Sequence, residues 1–133
     1  SVEHDPLEIW NSVMNCIEQV DKEFSINKLD SIGITNQRET TVAWRKSTGE
    51  PLHHALVWQD TRTQDICDDL KQMDNLKDEF NKTGLPVATY FSLSKILWLL
   101  RNIDEVQNAR LDDDLCFGTI DSWLIFKLTG ECE

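Results

Sequence analysis

The sequence predicts an α/β domain, in which helices pack against a β-sheet. Some segments carry apolar residues three and four positions apart, the spacing of one helix face, and others alternate apolar and polar residues as strands do. The two kinds of segment alternate along the chain, which is typical of layered α/β folds. With 133 residues, 40% of them hydrophobic, the chain is long enough to bury a core.

The first predicted element is a helix over Pro6–Phe24. Asp5 is a good N-cap, Pro6 suits the first helical position, and Glu8 is placed to close a capping box. The apolar residues that follow recur at helical spacing: Trp10, Val13, Met14, Ile17, Val20 and Phe24. This pattern predicts a long amphipathic helix.

Strands are predicted next, in the middle of the chain. Residues 32–34 and 42–44 each alternate apolar and polar side chains, and residues 55–58 form a short apolar run. Residues 46–51 contain serine, threonine, glycine and proline, which favour a turn between the second and third of these strands.

Helices dominate the second half of the sequence. One helix is expected after Asp60, and a short helix over 76–81 is expected to end before Gly84. Ser92 is a candidate N-cap for a helix that is apolar around most of its circumference, which predicts burial between layers. The remaining predicted elements are a short helix over 104–109, a strand over 115–117 and a helix over 119–128.

The net charge of -11 argues against two classes of partner. The thirteen Lys and Arg residues are scattered rather than clustered, so the surface would repel nucleic-acid phosphates and anionic lipids. The sequence has no run of about 18 apolar residues, and its first residues lack the pattern of a signal peptide. Neither nucleic-acid binding nor membrane association is therefore indicated.

Neither a disulfide framework nor a metal site is predicted. Four cysteines are widely spaced and form no Cys-x-x-Cys pair: Cys16, Cys67, Cys116 and Cys132. This spacing favours a reducing compartment, so a cytoplasmic location is expected. His53 and His54 are adjacent and expected to be exposed, and the acidic run 112–114 is expected to be solvated.

The chain is expected to be a piece of a longer protein. It begins at Ser1 rather than at a methionine and continues directly into a helix signal. It stops at Glu133, shortly after the helix-ending Gly130. A targeting segment in a preceding part of the protein is compatible with these features.

A candidate ligand site combines Arg38 and Glu39, between two predicted strands, with Trp58 and Tyr90. Arg offers five donors and Glu two acceptor oxygens, which suits neighbouring hydroxyl groups, while the aromatic rings can pack against carbon atoms. Taken singly, such residues are more often a solvated turn, a core aromatic and a loop tyrosine. Successive strand side chains point to opposite faces, so Arg38 and Glu39 can meet one ligand only if the backbone turns there.

Five longer runs carry a resemblance to a known family: Ile32–Val42, Leu56–Arg62, Thr83–Pro86, Tyr90–Leu99 and Phe117–Ile125. In this order, and over nearly the whole chain, they resemble the FGGY carbohydrate kinases, and most closely the members that phosphorylate glycerol. One departure is Leu93, where the family's pattern commonly has a small residue.

The resemblance implies the ribonuclease H-like fold shared by sugar kinases and actin, with a mixed sheet flanked by helices. It implies that Arg38 and Glu39 hydrogen-bond the glycerol hydroxyls, that Trp58 supplies an apolar wall, and that Tyr90 contacts glycerol from the opposite side. The implied reaction is phosphoryl transfer from ATP, with Mg²⁺, to glycerol. The full-length protein is expected to form a homo-oligomer.

The resemblance also implies that residues 1–133 are part of the family's N-terminal domain. They match neither the family's phosphate-contacting N-terminal hairpin, nor its catalytic Asp in a Gly-Asp-Gln motif, nor its nucleotide-binding lobe. No catalytic residue and no ATP or metal ligand is therefore assigned within the chain. Two alternatives stay open: an FGGY kinase for another sugar or polyol such as xylulose, and a catalytically inactive homologue that binds polyols or serves as a scaffold.

Overall fold

The computed structural model describes residues 1–131, apart from the Lys77 side chain, as a four-stranded sheet with helices on both faces. Its strands and helices follow in this order: β1 (Glu3–His4), α1 (Pro6–Phe24), β2 (Thr41–Arg45), β3 (Ala55–Leu56), α2 (Gln64–Gln72), α3 (Lys77–Thr83), α4 (Ser92–Asn102), α5 (Asp104–Leu111), β4 (Leu115–Thr119) and α6 (Ile120–Thr129). Short 3-10 turns at Ile26–Lys28 and Asp74–Leu76 follow α1 and precede α3.

The alternation of side chains along β2 divides the core in two. Val42 and Trp44 face α6 and α1, where Trp123 is fully buried. Ala43 points to the opposite face, where it packs with residues of α4 and α5 such as Leu99. The sheet is therefore covered on both sides, as a layered α/β domain requires.

The strands lie in the order β1-β3-β2-β4, and every pairing within residues 1–131 is antiparallel. The longest ladder joins β2 to β4, with Thr41 opposite Thr119 and Arg45 opposite Leu115. The predicted α/β class is correct, but the described sheet is antiparallel rather than mixed. A mixed sheet would need a parallel neighbour, and residues 32–34, where another strand was expected, do not join the sheet.

The strand predicted over residues 32–34 is absent from the described structure. Ile32 is 59% exposed and Ile34 is 37% exposed, and no segment within residues 1–131 pairs with them. Alternating side chains describe only the faces of a possible strand, whereas the strand itself requires a hydrogen-bonded neighbour. The segment instead runs beside α1, with which it lines a groove.

The helices follow their end signals closely. The α1 helix begins at Pro6 as predicted, and the Asp5 side chain accepts a hydrogen bond from the Leu7 amide at 2.8 Å. Gly84 and Gly130 end α3 and α6 in the left-handed conformation, with φ of 67° and 77°. Glycine adopts this conformation without the steric cost of a side chain, which is why these two ends could be predicted.

Helix α4 largely agrees with its predicted burial, because it packs against β2, α5 and α2 and its residues 94–100 are all buried or half-buried. Leu99 is fully buried against the sheet, but Leu93 is 46% exposed. Two of its buried residues are polar, Ser94 and Lys95. The exposed residues of α4 therefore lie near its two ends, at Leu93, Arg101 and Asn102.

Two segments that were expected to be solvated make specific contacts instead. Asp114 accepts hydrogen bonds from the Ser47 amide at 2.7 Å, the Ser47 hydroxyl at 2.8 Å and the Arg45 guanidinium at 3.1 Å. The acidic run thus holds the turn after β2. His53, which was expected to be exposed, is half-buried and lies edge-on to Trp98, with ring centroids 5.8 Å apart.

Within residues 1–131, no helix has the length and apolar character needed to cross a membrane. The described His, Cys, Asp and Glu side chains form no group of three or more that could hold a metal ion. Cys67 is buried and Cys16 is exposed, while Cys132 lies outside the described residues.

Candidate functional site

Arg38 and Glu39 form the tip of a tight turn immediately before β2. The Thr40 amide donates to the Gln37 carbonyl at 3.3 Å, and Glu39 has a φ of 62°. A positive φ is uncommon outside glycine, so the surrounding structure must hold Glu39 in this conformation. The predicted departure from regular strand geometry at these two residues is therefore confirmed.

The Glu39 side chain reaches the N-terminus of α4. Its Oε2 atom accepts hydrogen bonds from the Ser92 amide at 2.8 Å and the Ser92 hydroxyl at 2.7 Å. Ser92 was expected to cap the helix, but Phe91 occupies the N-cap position and makes no side-chain cap bond. Glu39 supplies the acceptor that the first helical amide requires, and its negative charge suits the positive end of the helix dipole.

Trp58 and Tyr90 meet next to this helix start. Trp58 lies in a turn after β3, closed by the bond from the Asp60 amide to the Val57 carbonyl at 2.9 Å. The Trp58 and Tyr90 rings are edge-to-face, with centroids 5.8 Å apart and planes inclined by 64°. They are 38% and 37% exposed, so both rings offer surface to a ligand.

The structure therefore brings three of the four predicted residues together. Tyr90 lies two residues before Ser92, which binds Glu39, and the Tyr90 ring contacts Trp58. Arg38 is adjacent to Glu39 but exposed, and its guanidinium has no hydrogen-bond or ion-pair partner among the described residues. Within the described residues the second Glu39 oxygen, Oε1, also accepts no hydrogen bond, so donors and acceptors remain available for a ligand.

Asp60 anchors the turn that presents Trp58. It is buried, and it accepts hydrogen bonds from the Val2 amide and from the amide and guanidinium of Arg62. Burial alone would raise the pKa of Asp60, but the bonds from Arg62 and Val2 outweigh it and lower the pKa to about 2. The Arg62 guanidinium also lies over the Trp98 ring at 4.6 Å and donates a hydrogen bond to Glu3 at 2.6 Å. These contacts join β1 and α4 to the turn that contains Trp58 and Asp60.

Lys95 is a buried residue of this region to which the sequence analysis assigned no role, although it lies within the run Tyr90–Leu99 that carries the family resemblance. Its ammonium is inaccessible to solvent and donates to the carbonyls of Thr89, Tyr90 and Phe91 at 2.8, 2.7 and 3.3 Å. Burial lowers its pKa to about 8. The available signal was a cation one turn into α4, followed directly by five apolar residues, where a lysine needs a partner to be buried.

Leu93 lies on the other side of the helix start. Together with Phe80, Leu85 and Phe91 it lines an apolar cavity of about 150 Å³. None of the four predicted site residues lines this cavity. Its lining is almost entirely apolar, so it offers no anchor for hydroxyl groups.

Known carbohydrate kinases are similar to this chain over nearly its whole length. The FGGY family of carbohydrate kinases, N-terminal domain, matches residues 1–133. Glycerol kinases of Borreliella burgdorferi (strain ZS7) and Staphylococcus haemolyticus (strain JCSC1435) are 48% identical over 134 residues and 49% identical over 131 residues. These alignments cover 99% and 97% of this chain but 27% and 26% of those proteins, so the chain spans about a quarter of the length of the curated relatives it matches.

Solved structures agree with the sequence match. The crystal structure of Plasmodium falciparum glycerol kinase with ADP has a TM-score of 0.87 at 40% identity, over 96% of this chain and 26% of that one. A xyloylose kinase from Brucella ovis has a TM-score of 0.74 at 21% identity, over 97% and 26% of the two chains, and supports the fold alone. The expected sugar-kinase fold, which is ribonuclease H-like, is confirmed. The match over residues 1–133 and the near-half identity to these relatives show that the chain belongs to the FGGY family of carbohydrate kinases.

Proposed function

We propose that the full-length protein transfers the γ-phosphoryl group of MgATP to a hydroxyl group of glycerol, and that Arg38, Glu39, Trp58 and Tyr90 of this chain bind the glycerol. The observation that carries the proposal is the meeting of Glu39, Trp58 and Tyr90 at the start of α4. The relatives that align with 97–99% of this chain are themselves named glycerol kinase, which supports glycerol over larger sugars.

Glu39 and Arg38 are suited to a pair of adjacent hydroxyl groups. Each hydroxyl can donate one hydrogen bond and accept others, so a vicinal pair matches one carboxylate acceptor beside one guanidinium fork. Ser92 holds Oε2 of Glu39 in place and leaves Oε1 for the ligand. Arg38 contributes charged donors from the neighbouring position of the same turn.

Trp58 and Tyr90 are suited to the carbon skeleton of the same ligand. Their edge-to-face contact forms a corner with two ring surfaces, each about one third exposed. Such a corner packs against C–H groups and limits the length of the chain that fits between it and the polar pair. Under the proposal, the aromatic pair selects size and the polar pair selects hydroxyl groups.

The remaining chemistry belongs to other parts of the protein. Phosphoryl transfer needs a positioned hydroxyl, a base that takes its proton, and cations or amide donors that hold the phosphates. Under the proposal, the described residues supply the first requirement. We assign the base, the nucleotide ligands and the Mg²⁺ that neutralises phosphate charge to the rest of the full-length protein.

The test is steady-state kinetics of the full-length enzyme with Arg38→Ala and Glu39→Gln. Each change removes a charge-assisted hydrogen bond and leaves its partner unpaired, a loss on the order of 2–4 kcal/mol. The KM for glycerol should therefore rise by about 30-fold or more, while the KM for ATP stays within about threefold. Arg110→Ala, at an exposed position of α5, is the matched control and should change neither constant.

Three other outcomes would contradict the proposal. Equal increases in both Michaelis constants would make Arg38 and Glu39 structural. Calorimetric binding of glycerol without any turnover would identify a catalytically inactive polyol-binding protein. Faster turnover of xylulose than of glycerol would identify a kinase for a longer substrate.

A further inference from the structure

The buried lysine of α4 makes an unusual set of contacts. Its Nζ atom donates to the main-chain oxygens of Thr89, Tyr90 and Phe91, three consecutive residues of the loop before the helix. An ammonium group has three N–H donors, so the three carbonyls use all of them. Lys95 therefore acts as an internal cation around which this loop is folded.

These contacts fix the backbone that carries the Tyr90 ring. Three successive carbonyls can converge on one atom only if the loop holds a single conformation, and the bond from the Phe91 amide to the Ala88 carbonyl at 3.2 Å closes it further. The Tyr90 ring leaves this backbone and lies edge-on to Trp58 at 5.8 Å. The position of one wall of the proposed site thus depends on Lys95.

A lysine that only fills the core is the competing explanation. The hydrogen-bond partners of Lys95 are carbonyl oxygens rather than carboxylates, so no opposite charge compensates directly for its burial. An apolar side chain of similar length would fill the same volume without burying a charge. The lysine differs from an apolar side chain in that its hydrogen bonds hold the backbone of residues 89–91 in one conformation.

We propose that Lys95 is a positioning residue for substrate binding, which acts through the backbone of residues 89–91 to hold Tyr90 against Trp58. The inference rests on the proposed glycerol site. Lys95 is inaccessible and touches no ligand itself, so its effect is confined to the substrate that Tyr90 contacts. Glycerol binding should depend on it, and ATP binding should not.

The charge on Lys95 makes this dependence sensitive to pH. Burial lowers the pKa of Lys95 to about 8, although Glu39 before β2, Asp60 after β3 and Cys67 on α2 oppose the shift. Below that pH the ammonium satisfies three carbonyls, and above it the neutral amine has two N–H groups and leaves one carbonyl without a donor. The KM for glycerol should therefore rise as the pH increases through about 8.

The first test compares Lys95→Met with Lys71→Met in the full-length enzyme. Methionine matches the length of lysine but has no donor, and Lys71 is a half-exposed lysine of α2 that pairs with Asp68 at 3.5 Å. Lys95→Met should raise the KM for glycerol about tenfold or more, with the KM for ATP within about twofold, and Lys71→Met should change neither. Parallel increases in both constants for Lys95→Met would overturn the proposal.

The second test uses the unchanged enzyme, so it holds even if Lys95→Met does not fold. The KM for glycerol, measured from pH 6.5 to about 9.5, should rise with a single ionisation near the lysine's pKa, while that for ATP does not follow it. Cys67→Ala should keep this inflection, which separates the lysine from the neighbouring thiol. A flat glycerol profile, or an inflection that disappears with Cys67, would refute the role of Lys95.

The third test asks whether Lys95 acts through Tyr90. In a Tyr90→Ala background, adding Lys95→Met should raise the KM for glycerol by less than about twofold, because the positioned ring is already gone. Fully additive effects would show a general structural role and refute the proposal.

The failure of the proposed function can be told apart from the failure of this inference. If the unchanged protein forms no ADP when given glycerol and MgATP, the proposed function fails and this inference fails with it. Turnover with additive effects refutes the lysine's role alone.

Discussion

Replacement of Asp60 by Asn tests how firmly the turn that bears Trp58 is held. The two Asp60 oxygens together accept four hydrogen bonds: Oδ1 from the Arg62 amide and Nε at 2.9 Å each, and Oδ2 from Arg62 Nη2 at 2.9 Å and from the Val2 amide. Asparagine keeps the shape but has one oxygen and one NH₂ group. In either orientation the NH₂ group would face two donors.

Two independent arguments give the size of the effect. Removing one partner of a buried ion pair costs roughly 3–5 kcal/mol. The fall in the pKa of Asp60 from 3.8 to about 2 corresponds to about 2.5 kcal/mol of stability at neutral pH. We therefore expect Asp60→Asn to lower the local stability of the turn at residues 57–63 by about 3 kcal/mol. This is a large part of the free energy of unfolding of most domains.

Hydrogen exchange of the full-length protein, read by mass spectrometry over residues 57–63, measures this loss locally. A loss of about 3 kcal/mol should accelerate exchange there by roughly 100-fold. The matched control is Asp68→Asn on α2, whose partner Lys71 lies at 3.5 Å and whose side chain is 52% exposed. That change should cost less than about 0.5 kcal/mol. Equal exchange rates in the two variants would refute the reasoning.

The stability of the turn at residues 57–63 should depend on pH in a defined direction. Because the folded pKa of Asp60 lies below its unfolded value, its stabilisation is fully present above pH 3.8 and is lost as the pH falls through about 2. The unchanged protein should lose protection over residues 57–63 within this window. Asp60→Asn should show a smaller change there, and an identical pH dependence would contradict the assignment.

Two further changes test the site and the fold. Trp58→Ala should raise the ratio of erythritol to glycerol turnover by roughly tenfold, since an apolar wall discriminates by about 1–3 kcal/mol per methylene-sized change; an unchanged ratio in the folded variant would remove Trp58 from the site. Gly49→Ala should lower the urea midpoint by the equivalent of about 1–3 kcal/mol, because its Cβ atom would lie 2.7 Å from the Phe126 ring and its φ is +70°. An unchanged midpoint would show that this turn can move away.

Features encoded by neighbouring residues could be predicted from the sequence. The start of α1 depends on Asp5 and Pro6, and the ends of α3 and α6 depend on Gly84 and Gly130, each of which acts within one turn of its own helix. The turn at residues 38–39 was also predicted, because two adjacent strand side chains cannot face one ligand. The strand predicted over residues 32–34 was wrong for the complementary reason. A strand exists only with a hydrogen-bonded partner, which its own sequence does not specify.

The four candidate site residues were named from the sequence, but the contacts that hold them in place were not predicted. Glu39 and Ser92 are 53 residues apart in sequence, and nothing local to either indicates their bond. Ser92 carries the signal of an N-cap, yet the acceptor at this helix start comes from Glu39 on another element. No role could be assigned to Lys95 for the same reason, because its three acceptors are carbonyls that every residue possesses.

Three of the four candidate site residues are held in place by contacts within the domain. Three predicted contact residues are each held by a different polar group: Glu39 by Ser92, Trp58 by the turn at Asp60, and Tyr90 by the loop around Lys95. None of these supports needs the ligand, so much of the cost of ordering the site is met when the domain folds.

Arg38 is the exception among the four residues. Its side chain is exposed and has no partner among the described residues, so under the proposed function it becomes ordered only when glycerol binds. Fixing a long side chain costs up to about 2 kcal/mol of conformational entropy. Under the proposed function, the net contribution of Arg38 to glycerol affinity is therefore the free energy of its hydrogen bonds less this entropic cost. Glu39, held in advance by Ser92, bears no such cost, so Glu39→Gln should weaken glycerol binding at least as much as Arg38→Ala.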